Sequence, residues 1–183
     1  MADLIIEGGR PLCGAVSVHG AKNAVLPILA AALLTEKTTL YQCPMLSDVT
    51  AAAEILRHFG CSVVHKGDVL QIDASGEIAN CDLPDSLSRE MRSSILFLGA
   101  ILGRCRRAVV SFPGGCELGP RPIDLHIAGL RRLGAQIREE RGCLECRVEG
   151  RLRGTSIALP FPSVGATENL LLASATAEGE TVI

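Results

Sequence analysis

The stretch AKNAVLPILAAALLTEKTTLY, residues 21–41, decides the fold, because it returns in variant form twice more. MRSSILFLGAILGRCRRAVV begins at Met91 and SVGATENLLLASATAEGETVI begins at Ser163. Each copy opens on polar residues, runs into an apolar stretch and ends in a short β-prone run, at a spacing of roughly 70 residues. Residues 24–34 and 95–102 carry no polar side chain on any face, and residues 170–177 are softened only by Ser174 and Thr176. A helix that is apolar all round is buried all round. The pattern therefore predicts three buried helices, one per repeat, bundled at the centre.

A second kind of element lies between the copies. LSDVTAAAEILRHFG and RPIDLHIAGLRRLG each carry an aspartate near the start and an L-R-x-x-G ending. Val49, Ala52, Ala53, Leu56 and Phe59 share one helical face, and Gly60 and Gly134 suit a left-handed backbone just past a helix end. Two strand-like runs follow each: CSVVHK and VLQID, then AQIREE and LECRV. The unit reads helix, strand, helix, strand, strand. The third copy stops at Ile183 in GETVI, which matches KTTL in the first, so the sequence reads as a piece of a longer protein.

Composition excludes several classes. The 183 residues suit one domain or most of one, 48% are apolar and the net charge is −2. Aromatic residues reach only 3%, and no basic run tracks a phosphate backbone, so a nucleic-acid partner is not expected. The start MADLIIEGGR has acids and no basic leader region, and the longest apolar run is too short to span a bilayer. No membrane partner and a cytoplasmic location are expected. Most of the eight cysteines then read as small buried hydrophobes. Cys143 and Cys146 form a lone C-x-x-C in a predicted hairpin turning at Arg141-Gly142, with no second pair to complete a zinc site. No metal and no cofactor are expected.

The open ends of the three apolar helices carry Lys22-Asn23, Arg92-Ser93-Ser94 and residues 163–168. Helix N-termini present unpaired N–H groups and attract anions. Taken singly, Asn23, Ser93 and Thr167 read as caps, and Lys22 and Arg92 as solvated cations. Three equivalent ends together favour a phosphate-binding face. The loop SFPGGCELGPRPIDLHI follows the predicted strand RAVVS. It holds no G-x-x-x-x-G-K-S/T and no G-x-G-x-x-G phosphate signature. It places Cys116 on a Gly- and Pro-rich backbone with Arg121 five residues on. Nearby positive charge raises a thiol's reactivity; the alternative is an ordinary loop cysteine.

GGCELGPRPIDLHI resembles the active-site loop of the UDP-N-acetylglucosamine enolpyruvyl transferases, and GAKNAVLPILAAALL resembles the Lys-Asn motif of that family. MRSSI and PSVGATENLLLA fit as well, and the similarity runs along essentially the whole chain. The resemblance implies an inside-out α/β barrel of repeated βαβαββ units around buried helices, with only part of a two-domain fold present. Residues 1–20 would be strands of the second domain, and residues 21–183 the first domain with its third repeat incomplete. It also implies an enzyme that moves the enolpyruvyl group of phosphoenolpyruvate onto the 3-hydroxyl of UDP-N-acetylglucosamine, releasing phosphate and opening peptidoglycan synthesis. The shikimate-pathway enolpyruvyl transferase shares the fold and is the near alternative; a noncatalytic UDP-sugar-binding half-enzyme is the other.

Carried over by that resemblance, Cys116 is the general acid toward the methylene carbon, the site of a covalent phosphoenolpyruvate adduct, and the thiol that fosfomycin alkylates. Lys22 and Arg121 bind phosphoenolpyruvate, Asn23 contacts the amino sugar and Arg92 is a further cation. Pro122, Asp124 and Leu125 lie around the nucleotide, and Ser163, Val164 and Gly165 contact UDP. His126, structural if read alone, joins the substrate contacts. A catalytic aspartate and a further arginine belong to a later part of the family's chain, so these 183 residues alone are expected to turn over poorly or not at all.

Overall fold

In the computed structural model the described residues are 4–111 and 123–183, apart from the side chains at positions 89, 90 and 92. The first unit runs α1 (Lys22–Ala31), a 3₁₀ turn (Ala32–Leu34), β1 (Lys37–Leu40), α2 (Ser47–His58), β2 (Ser62–Lys66) and β3 (Val69–Asp73). The second runs β4 (Asp82–Leu83), α3 (Asp85–Glu90), a 3₁₀ turn (Arg92–Ile95), α4 (Leu96–Cys105), β5 (Arg107–Ser111), α5 (Asp124–Arg132), β6 (Gln136–Glu140) and β7 (Cys143–Arg147). The last helix is α6 (Val164–Ser174).

The two units share one topology. In the first, β3 lies between β1 and β2 and pairs antiparallel with both; in the second, β7 lies between β5 and β6 in the same way. The second unit adds β4, parallel to β5, and so completes a βαβαββ order. Around α6 the same scheme begins again, with parallel bridges from Arg153 to Glu178 and from Ser156 to Val182.

The repeated L-R-x-x-G endings have a local cause. Gly60 and Gly134 both take φ of +97°. Their N–H groups donate to Arg57 O and Arg131 O, and the next N–H groups donate to Leu56 O and Leu130 O. This crossed pair satisfies the last helical carbonyls and turns the chain into the following strand. The predicted Arg141-Gly142 turn also holds, with φ of 51° and 78°, the two left-handed residues that a tight hairpin requires.

The core centres on α4. Every residue from Leu96 to Leu102 is buried, and the Phe97 ring meets Phe59 at the end of α2 at 6.3 Å between centroids. Helices α4 and α6 run parallel and close. A Cβ on Gly99 would overlap the Asn169 backbone, and one on Gly103 would meet Thr176, so the contact advances in the same direction along both helices. Arg104, at the end of α4, donates to Leu33 O at 2.6 Å, Ala74 O at 2.6 Å and Gly76 O at 2.9 Å. That bond places the end of the first apolar segment beside the end of α4, so α1 also points its start the same way.

One expectation is corrected. Only α4 is covered on every side: Ile28 of α1 is 41% exposed and Leu171 of α6 is 57% exposed. Helix α2 packs on α1 and α5 packs on α6, but no outer helix follows α6 among the described residues, which leaves part of both apolar surfaces open. The runs DLIIEGG and GAVSVHG, expected as strands without most of their sheet, pair with no strand among the described residues. Residues 4–20 take no regular structure, and Leu4, Ile5, Ile6, Leu12, Val16 and Val18 are exposed. A strand needs partners for its N–H and C=O groups, and no described strand pairs with these residues.

Candidate active site at the helix N-termini

The parallel course of α1, α4 and α6 brings their starts to one end of the bundle. Lys22 opens α1 and forms an ion pair with Asp48 in the first turn of α2. The start of the outer helix α2 therefore also reaches this end. Asp48 was not singled out by the sequence reading; its signal was the aspartate shared by both outer helices, Asp48 and Asp124. The pair steadies a half-exposed ammonium that would otherwise sample many rotamers.

On the other side, the start of α5 meets the start of α6. Asp124 is exposed, Leu125 is buried in packing, and His126 is only 8% exposed. The His126 ring lies against Gly165: a Cβ there would stand 3.6 Å from Cε1 and 3.7 Å from Nε2. Ser163 caps α6, its Oγ accepting from Ala166 N at 3.3 Å. Val164 is exposed and Gly165 half-buried at the helix mouth. Ser163, Gly165 and His126 are thus brought together, and burial pushes the His126 pKa below its ordinary value, against an opposing pull from Asp124.

The cap reading fails for the other polar residues. The N-cap of α1 is Ala21, without a side-chain bond, so Asn23 stands exposed in the first turn. Ser93 lies within a 3₁₀ turn that precedes α4, and Thr167 donates back to Ser163 O at 2.8 Å. Arg92 opens that 3₁₀ turn, and its side chain is outside what is described. Cys116, Arg121 and Pro122 also lie outside the described residues.

Both roots of their loop are described. Ser111 ends β5, and its carbonyl accepts from the buried Ser88 Oγ at 3.0 Å; Ser94 Oγ in turn donates to Ser88 O at 3.1 Å. This buried serine chain ties the loop's first root to the start of α4. Its second root is the start of α5. The loop therefore leaves from, and returns to, the end of the bundle where the helix starts gather.

Cys143 and Cys146 do not make a joint site. They are three apart on one strand and face opposite sides, Cys146 buried with its thiol pushed up to about 12. Among the described residues no cluster of three or more metal-ligating side chains exists. No described helix is long and apolar enough to cross a membrane. One cleft is lined by Gln136, Arg138, Glu145 and Arg147 on the outer face of the second sheet, away from the helix starts.

Comparison with known proteins bears on this arrangement. The family model described as EPSP synthase (3-phosphoshikimate 1-carboxyvinyltransferase) matches residues 6–183. The chain belongs to this enolpyruvyl transferase family. Within the family, it is 49% identical over 184 residues to UDP-N-acetylglucosamine 1-carboxyvinyltransferase 2 of Caldanaerobacter subterraneus subsp. tengcongensis, an alignment covering 100% of this chain and 44% of that protein. It is 49% identical over 180 residues to UDP-N-acetylglucosamine 1-carboxyvinyltransferase of Mycobacterium bovis, covering 98% of this chain and 43% of that protein. The chain thus spans less than half the length of these relatives. The fold matches the enolpyruvyl transferase NikO from Streptomyces tendae with a TM-score of 0.79 at 24% identity, over 95% of this chain and 41% of that one. It matches EPSP synthase from Acinetobacter baumannii with a TM-score of 0.67 at 23% identity, over 92% and 39%. These two likenesses carry the enolpyruvyl transferase fold.

Proposed function

We propose that the chain is the N-terminal part of an enzyme that transfers the enolpyruvyl group of phosphoenolpyruvate to the 3-hydroxyl of UDP-N-acetylglucosamine with release of phosphate. One observation carries the reading: Lys22, His126 and residues 163–165, picked out in three separate segments, stand at the gathered starts of parallel helices. Such an end suits a ligand with several negative charges. The 49% identity to proteins named for UDP-N-acetylglucosamine favours that sugar nucleotide over shikimate 3-phosphate.

In this reading Ser163 and the N–H groups at the mouth of α6 take the diphosphate, with His126 beside them. Asp124 and Leu125 hold the nucleotide through the start of α5. Lys22, steadied by Asp48, Arg92 and Arg121 hold the carboxylate and phosphate of phosphoenolpyruvate next to Asn23 and the amino sugar. Cys116 delivers a proton to the methylene carbon as the 3-hydroxyl adds to its neighbour and gives up its own proton to the aspartate of the second domain; loss of a proton from the new methyl group then restores the double bond as phosphate leaves. Fixed positive groups are worth most where charge develops in the transition state.

The domain assignment belongs to the same proposal. Residues 1–20 add strands to a second domain, for which Leu4, Ile5, Ile6, Leu12, Val16 and Val18 stand exposed, and residues 21–183 form the first. The second domain supplies the catalytic aspartate and a further arginine. Calorimetric titration of the chain with UDP-N-acetylglucosamine and with shikimate 3-phosphate tests the substrate: the reading expects preference for the UDP-sugar, and preference for shikimate 3-phosphate overturns it.

A further inference from the structure

Asn169 is fully buried at the centre of α6, and its two amide atoms both have partners. Its orientation is fixed by Gly99. The Gly99 N–H lies 2.7 Å from Oδ1, and a backbone N–H can only donate, so the amide oxygen faces α4. The amide nitrogen then faces His126 Nδ1 at 3.0 Å. An amide nitrogen only donates, so Nδ1 must accept. The ring proton is left on Nε2, which has no partner among the described residues and lies against Gly165 at the mouth of α6.

We propose that Asn169 is a positioning residue that locks His126 in its neutral, Nε2-protonated form, so that the buried ring offers a hydrogen-bond donor to the diphosphate at the start of α6. The inference rests on the diphosphate reading of that helix end. The opposite tautomer would turn a lone pair toward the same place and repel an anion. An imidazolium would bring its Nδ1 proton against the amide hydrogens of Asn169. The Gly99 bond holds the lock, since turning Asn169 over would set its amide hydrogens against the Gly99 N–H.

The test is nitrogen NMR on the full chain carrying ¹⁵N-labelled histidine, at neutral pH, with and without UDP. The expected spectrum for His126 shows a protonated Nε2 and a bare Nδ1; a proton on Nδ1 overturns the proposal without any variant. Asn169→Asp keeps an acceptor for Gly99 and nearly the same shape, but sets an acceptor against Nδ1. At about pH 9, where the ring is held neutral, it is expected to draw the proton from Nε2 onto Nδ1 and to weaken UDP binding by about tenfold or more, leaving uridine binding unchanged; at lower pH an imidazolium regains the Nε2 proton and restores binding. Equal loss for UDP and uridine, or none for UDP, overturns the positioning role. If the wild-type ring shows the stated tautomer but UDP does not bind, the tautomer lock is supported and the diphosphate reading is the part that fails.

Discussion

At Cys116 the account makes its plainest chemical demand. The thiol sits in a loop whose two roots, Ser111 and the start of α5, reach the gathered helix ends. In the complete enzyme Cys116→Ala is expected to lower the single-turnover rate by about 10²–10⁴-fold, the usual worth of a positioned proton donor; an unchanged rate contradicts the role. Lys22 gives a second prediction. Asp48→Asn removes its ion-pair partner, and should raise KM for phosphoenolpyruvate by about twofold to fivefold with little change in folding midpoint, since an exposed pair is worth ~1 kcal/mol or less. His126 gives a third. Its folded pKa lies below the ordinary 6.5, so the unfolded chain takes up this proton first as pH falls. The stability it contributes is full above the unfolded value and declines as pH drops through it toward the folded one. Urea midpoints measured from about pH 8 to about pH 5 should fall less steeply in His126→Gln than in the wild type; equal slopes contradict the assignment. Of these residues, Cys116, Lys22 and His126 are nominated in the sequence by motifs; Lys22 and His126 stand at helix starts, and Cys116 lies outside the described residues. Asp48 and Asn169 are not so nominated, because their importance lies in partners distant along the chain: Lys22 for one, Gly99 and His126 for the other.

Among the elements, those defined by local chemistry were legible. The outer helices α2 and α5 follow from apolar periodicity closed by Gly60 and Gly134, and the hairpins from alternating apolar residues around short turns. Elements defined by distant pairing were not. Strand β4 has two residues and exists only beside β5, and residues 4–20 join no described strand. The burial of α1 and α6 was overstated for a related reason: an apolar sequence states what a helix could bury, whereas the neighbours decide what it does bury. The contact between α4 and α6 yields a prediction of its own. Gly99→Ala would push a methyl group into the Asn169 backbone, and should cost about 1–3 kcal/mol through forced separation of the helices, read as a lower denaturation midpoint. A midpoint at or above that of the wild type would mean that the two helices are not held at this spacing.

For the whole molecule, the repeat foretold the architecture: two units of one topology, the opening of a third, and a shared end where their inner helices begin. The chain spans 44% of the Caldanaerobacter relative. The proposal places the remaining catalytic groups in the second domain, so the 183 residues alone should release no phosphate from phosphoenolpyruvate and UDP-N-acetylglucosamine. Turnover by the isolated chain would show that these residues suffice. The central claim, that the gathered helix starts form the substrate site, is tested most directly by backbone amide NMR during titration with UDP-N-acetylglucosamine. The account predicts shifts concentrated at the starts of α1, α5 and α6, around Lys22, Asp124 and Gly165. Shifts confined to the outer sheet face around Arg138 and Arg147, or spread evenly over both units, would contradict it.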